Sequence, residues 1–364
     1  MNRRILPFSL VVCGAILAYA CSSKDSTNPP PNTVPEGGST TDGPKPDDDS
    51  GTLPDGAKTD SSIPPSGNPI EGIANPTAVA GIPDMFWTEG PQFHAGALYF
   101  SAYTANGSLV KLTPPDTNPV RTVLGAGNYP IGNAFDSKTN TFVSTEVVDG
   151  ARGGAIVRTA AAGGVGTAIT LSFDAGGGVF DSPNDLVVRT SDGTIYVTDP
   201  GYQANLGVAD SNHIWRLKPT NVAGTTADIF ETPVEGLPNG IALSPDQKTL
   251  YVSFTVAVAP ATLPKIVKYP LATDGAIGVG TKFTDVGPAT TAVDGLPVDS
   301  SGNVYAATKT GVEVFKPDGS KWPNRITTTK PINGLAFGGA DKKTLYMTSD
   351  TGMQQVTVKI AGIE

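Results

Sequence analysis

Gly240-Ile-Ala-Leu243, Thr249-Leu-Tyr-Val-Ser-Phe254, Lys265-Ile-Val-Lys-Tyr269 and Lys282-Phe-Thr-Asp285 are four consecutive runs rich in β-branched and aromatic residues, separated by turn formers. Four such runs make one antiparallel propeller blade. The second run has counterparts in Leu98-Tyr-Phe-Ser101, Thr141-Phe-Val-Ser144, Thr194-Ile-Tyr-Val-Thr198, Asn303-Val-Tyr-Ala306 and Thr344-Leu-Tyr-Met-Thr348, spaced by 41 to 55 residues. Those intervals are blade-sized. The last repeat supplies only Gly334-Leu-Ala-Phe337, Thr344 to Ser349 and Gln354 to Ile360, while Pro76-Thr-Ala-Val-Ala80 lies unassigned before the first. The expected fold is therefore an all-β six-bladed propeller over residues 69–364, four antiparallel strands to a blade. The N-terminal strand should complete the sixth blade and so remove the exposed edges of an open ring.

Composition agrees: 43 glycines, 32 prolines and only 16% charged residues suit short strands joined by turns. The net charge of −9, with no basic cluster beyond Arg3-Arg4, excludes a nucleic-acid partner. Residues 1–20, two arginines followed by the apolar run Ile5 to Ala20, read as an export signal too short for a membrane span. The run ends Leu17-Ala18-Tyr19-Ala20-Cys21, which resembles a bacterial lipoprotein signal and makes Cys21 the expected acylated residue. Ala18-Tyr19-Ala20 also fits ordinary signal peptidase, which would give a secreted protein instead. Residues 21–68, rich in Ser, Thr, Pro, Gly and Asp, cannot bury enough to offset their ordering entropy and should form a disordered tether. Membrane contact is thus expected only through the lipid anchor, and the domain is expected to be a monomer. With Cys13 and Cys21 the only cysteines, disulfides cannot staple the domain.

A polar residue precedes or opens the leading strand of every repeat: Glu89, Asn133, Asn184, Asn239, Asp294 and Asn333. In a closed propeller these positions converge on one axis. Two carboxylates and several amide oxygens aimed at one point suit a hard divalent cation. The competing reading is turn chemistry, which fits Asn239-Gly240, Asp294-Gly295 and Asn333-Gly334. It fails for Glu89-Gly90-Pro91, because glutamate has no special turn preference.

Four stretches carry a family resemblance: Phe86-Trp-Thr-Glu-Gly-Pro91; Ser182-Pro-Asn-Asp-Leu186 with Tyr196-Val-Thr-Asp-Pro200; Leu237-Pro-Asn-Gly240 with Ser244-Pro-Asp246; and Val293-Asp-Gly-Leu296 with Asp299-Ser-Ser-Gly302. In this order they resemble the gluconolactonase/regucalcin-like propellers, which also include diisopropylfluorophosphatase. The resemblance implies one divalent metal held by Glu89, Asn184, Asn239 and Asp294. Calcium is the first choice, with Zn, Mg or Mn as alternatives; with no cysteine in the domain and only His94 and His213, an N/S zinc site is disfavoured. It further implies hydrolysis of a sugar-type lactone, the metal polarising the carbonyl and a carboxylate activating water. Asp294 ranks first as that base and Asp185 second, the latter competing with a structural role in the turn after Asn184. Asn133, Glu146 and Tyr202 are the implied substrate-binding residues, although Asn133 follows Gly132, the reverse of the family order.

His94 reads as a surface histidine by strict strand alternation, and His213 as structural. The family's phosphotriesterase member uses a tunnel histidine without a counterpart in this reading, so that activity ranks below the lactonase. Ser182 stands where regucalcin-type members carry a basic residue, which leaves sugar preference open. The rival from another class is a non-enzymatic glycan- or protein-binding propeller.

Overall fold

The computed structural model describes residues 66–82, 85–103, 107–113, 120–125, 129–147, 153–172, 180–200, 212–255, 264–287 and 292–363, and every regular element among them is a β-strand. The expected export signal, Cys21, the tether as far as residue 65, and Tyr202 lie outside the described residues. Backbone contacts separate Met1–Ile63 from Pro64–Glu364, and the fold is that of the second unit.

Six sheets follow one another along the chain. The first blade runs Thr88–His94, Ala97–Ala102, Ser108–Thr113, Val120–Gly125, and the fourth runs Leu237–Leu243, Thr249–Thr255, Lys265–Pro270, Thr281–Asp285, each antiparallel and in sequence order. In the sixth, Leu335–Gly338, Thr344–Thr348 and Met353–Thr357 are completed by the N-terminal strand Thr77–Ala78, with Thr77 opposite Gln355. The ring closes as its repeat count requires.

Two blades depart from four antiparallel strands. The third gains a fifth: after the outer strand Thr167–Ala168 of blade two, the chain crosses over and Thr170–Ser172 pairs parallel with the outermost strand Thr226–Pro233. The fifth has three regular strands, Val304–Thr308, Gly311–Phe315 and Lys321–Thr327, and its inner segment is held by the isolated bridges Val293 to Thr308 and Val298 to Val304. Pro297 in that segment has no N–H to donate, so an uninterrupted ladder cannot form.

Each blade's second strand is buried on both faces, which is why it reads as an apolar run rather than an alternation. Leu98 and Phe100 pack with Tyr346 and Met353 of blade six, whereas Tyr99 packs with Phe142 of blade two at 4.0 Å between ring centroids. The repeated aromatic thus fills the space between neighbouring blades, and Phe93 on Tyr346 (5.9 Å, stacked) closes the last gap. A buried ion pair adds to one seam: the Arg158 guanidinium lies 2.7 Å from Asp136, and its Nε donates to Gly224 O at 2.8 Å in blade three.

Candidate functional site at the propeller axis

The inner strands of blades one, two and four slip register where the polar residue sits: between Glu89 and Gln92, Pro130 and Asn133, and Pro238 and Ile241. An extra residue bends such a strand and re-aims a side chain. The glycines beside these residues are not turn glycines. Gly240 lies inside Leu237–Leu243, and a Cβ there would press against the carbonyl oxygen of Asp294 and stand 2.8 Å from Gly295 Cα. At Gly334 it would stand 2.8 Å from Thr348 Oγ1. The backbones of adjacent blades pass too closely at the axis for any side chain.

Sewing at this level uses hydroxyls from the second strands. Thr145 Oγ1 donates to Asn184 O at 2.6 Å, Thr198 Oγ1 to Asn239 O at 2.6 Å and Ser253 Oγ to Asp294 O at 2.9 Å, each reaching into the next blade. Sequence reasoning missed this belt, although a Ser or Thr ends nearly every repeat's second strand. The backbone carrying three of the four expected ligands is thereby fixed from behind.

Glu89, Asn133, Asn184, Asp185, Asp294 and Asn333 line one axial cavity of about 350 Å³. Asn239, buried in the fourth inner strand, does not line it. Glu89 and Asp294 are half-buried in the wall of this cavity. Burial, followed by the charges of Asp294 and Asp185, therefore pushes the Glu89 carboxyl well above the ordinary range; a hydrogen bond from Trp87 offsets part of this. Burial and then the charges of Asp185 and Asp350 do the same to Asp294. The described lining includes no lysine or arginine.

Among the described residues no three His, Cys, Asp or Glu side chains group as a metal site. Any ion must use a mixed set of carboxylates and amides. That donor chemistry fits a hard divalent cation: a dication would offset the repulsion between two buried carboxylates as well as protons do, and amide oxygens supply neutral ligands beside them.

Other expected residues take varied places. The Asn133 amide is committed to protein, its Nδ2 donating to Gly90 O at 2.9 Å and Ser101 Oγ at 2.8 Å while its Oδ1 accepts from Ser144 at 2.6 Å. Asp185 accepts from the backbone N–H of Leu186 at 2.8 Å and of Ile241 at 3.3 Å, so it ties blade three to blade four as well as lining the cavity. Glu146 pairs across the sheet with Pro130 and is not part of the cavity wall.

His94 corrects the expectation of a surface residue. The register slip after Glu89 reverses the strand's alternation, so Gln92 and His94 sit opposite Tyr99 and Ala97. His94 stacks on Phe135 at 3.5 Å and lines the cavity, and burial, then Lys111, lowers its pKa. Asp350 was not anticipated either. It follows the sixth blade's second strand and accepts from Asn333 Nδ2 at 3.0 Å.

Residues 87–351 match the family model described as the SMP-30/Gluconolactonase/LRE-like region. The chain is 30% identical over 198 residues to a gluconolactonase of Zymomonas mobilis, covering 50% of this chain and 52% of that protein. It is 28% identical over 160 residues to a pentonolactonase of Haloferax volcanii, covering 43% and 52%. The chain spans about half the length of these curated relatives. Two solved structures share the fold: a gluconolactonase from Xanthomonas campestris (TM-score 0.63, 24% identity, 81% of this chain and 99% of that one) and a calcium-binding regucalcin from Agrobacterium tumefaciens (TM-score 0.62, 19% identity, 80% and 95%). With the match running from Trp87 of the first blade to Thr351 of the sixth, this chain belongs to the SMP-30/gluconolactonase/LRE-like family.

Proposed function

We propose that this protein is a divalent-metal-dependent lactonase acting on sugar-type lactones. The observation that carries the reading is the convergence of Glu89, Asn184 and Asp294, from blades one, three and five, on one axial cavity in which both carboxylates are desolvated. The gluconolactonase and pentonolactonase relatives support the substrate class. Glu89, Asn184 and Asp294 would hold the ion from the cavity wall, calcium being the first choice as the regucalcin neighbour suggests; the expected fourth ligand, Asn239, would have to turn out of its strand to join them. When bound, it supplies Lewis-acid polarisation of the ring carbonyl and stabilises the charge that develops there.

The chain's own residues do the rest. Asp294 takes a proton from the attacking water as the water oxygen bonds to the carbonyl carbon; the ring C–O bond then breaks, and the proton passes to the departing oxygen, giving a hydroxy acid. Asp185 is the alternative base, already oriented by its two backbone hydrogen bonds. We also propose that the protein is exported and tethered through an acylated Cys21.

The test is acid release from several aldonolactones before and after chelation. Activity lost on chelation and restored by calcium supports the lactonase. Metal-independent folding with no turnover of any lactone or ester would replace it with the binding propeller.

A further inference from the structure

Trp87 holds a backbone conformation that bulky residues avoid, with φ of 48°. Such strain persists only where surrounding bonds over-determine it, and it concentrates at working sites. Here the seam between the last and first blades, together with the end of blade one's second strand, imposes it. Trp87 N donates to Asp350 O at 2.8 Å, Tyr103 N donates to Trp87 O at 3.2 Å, and Thr88 N donates to Ser349 O at 3.1 Å. Three residues further on, Gly90 is again left-handed (φ 49°), so Glu89 sits in a bulge bracketed by two left-handed residues. The consequence of this geometry is specific: the Trp87 indole folds over the strand and its Nε1–H donates to Glu89 Oε1 at 3.1 Å.

We infer that Trp87 is a positioning residue that pins one carboxylate oxygen of Glu89 and presents the other to the axial site. The assignment builds on the metal-binding reading above but has its own physical content. A glutamate has three side-chain torsions, and an ion gains little from a carboxylate that must first be ordered. An indole N–H bond to one oxygen removes that freedom without supplying a competing charge, and orienting partners of this kind tune ligands. The arrangement also links the ligand to ring closure, because the strain that aims the indole exists only while blade six is docked against blade one.

The test uses the full chain labelled with ¹⁵N-indole tryptophan, whose three tryptophans give three resolvable indole signals. Trp87→Phe assigns the Trp87 signal. Glu89→Ala should then shift that signal and speed its exchange with deuterium at least ten-fold, leaving the other two in place. Calcium titration of Trp87→Phe by calorimetry should show affinity reduced ten-fold or more against the parent chain, at an unchanged urea midpoint. An indole signal indifferent to Glu89→Ala overturns the inference, as does calcium affinity within two-fold of the parent in a folded Trp87→Phe. Should Trp87→Phe fail to fold, the Glu89→Ala arm decides alone, on the deuterium exchange of the indole signal that responds. A parent chain that binds no divalent ion, yet whose indole signal responds to Glu89→Ala, supports the Trp87–Glu89 pairing and removes the metal reading instead.

Discussion

Replacing Gly240 with alanine would place a methyl carbon 2.8 Å from Gly295 Cα and closer still to the carbonyl oxygen of Asp294, where ordinary contact begins at 3.4 Å. Neither neighbour is the movable end of a side chain. The Asp294 carbonyl is also the acceptor of the Ser253 hydroxyl at 2.9 Å, so relieving the clash stretches the seam between blades four and five. Overpacking of this kind costs about 1–3 kcal/mol, and weakening the buried hydrogen bond adds about 1 kcal/mol. Reduced freedom of the unfolded chain returns about 0.4–1 kcal/mol. The expected net loss is about 1–4 kcal/mol, read from the urea midpoint at constant slope. Gly96 is the control. Its φ is 77° but a Cβ there meets nothing within 4 Å, so Gly96→Ala carries only the left-handed penalty of about 1–2 kcal/mol. A Gly240→Ala variant as stable as the parent would refute the claim that the axial glycines serve close approach between blades.

Thr198→Val, which keeps shape but strands the Asp185 N–H and the Asn239 carbonyl, should destabilise by about 1–3 kcal/mol in urea unfolding. Arg158→Met leaves Asp136 buried without its guanidinium and should cost about 3–5 kcal/mol, measured in the same way. Asp294→Asn should abolish lactone turnover while the strand signature in far-ultraviolet circular dichroism is retained; retained turnover would remove Asp294 as the base. The same variant tests the electrostatics. In metal-free solution the raised carboxyls of Glu89 and Asp294 contribute stability below their ordinary values of 4.5 and 3.8 and lose it as pH rises through their folded values. The parent should therefore fall behind Asp294→Asn as pH climbs toward neutrality, and saturating calcium should reverse the order. Parallel pH profiles for the two metal-free proteins would mean that Asp294 is not desolvated as described.

The repeat was legible because its second strands are buried on both faces: Tyr99, Tyr196, Tyr305 and Tyr346 each stand in an apolar run bounded by turn residues, and none of this depends on distant chain. Sheet closure through Pro76 to Ala80 followed from counting strands. Five of the six recurring polar positions, all but Asn239, meet at the axial cavity, since one position recurs with the repeat. What could not be read was register. A bulge exists only relative to a partner strand, so the slip after Glu89 and its reversal of His94 were invisible to an alternation rule applied to one strand. The crossover of Thr170–Ser172 to blade three likewise depends on which sheet edge lies nearest once both blades exist.

Periodicity and composition by themselves determined the number of blades, the all-β architecture and which side chains recur at the axis, because these are properties of short segments and their spacing. Only the closed ring decided that Asp350 and Trp87 meet, that Trp87 must turn left-handed to grip Glu89, and that the glycines beside the axial residues are there for lack of room. Those outcomes belong to contacts between the first and last blades and between neighbouring inner strands, and such contacts have no counterpart in any local stretch of the chain.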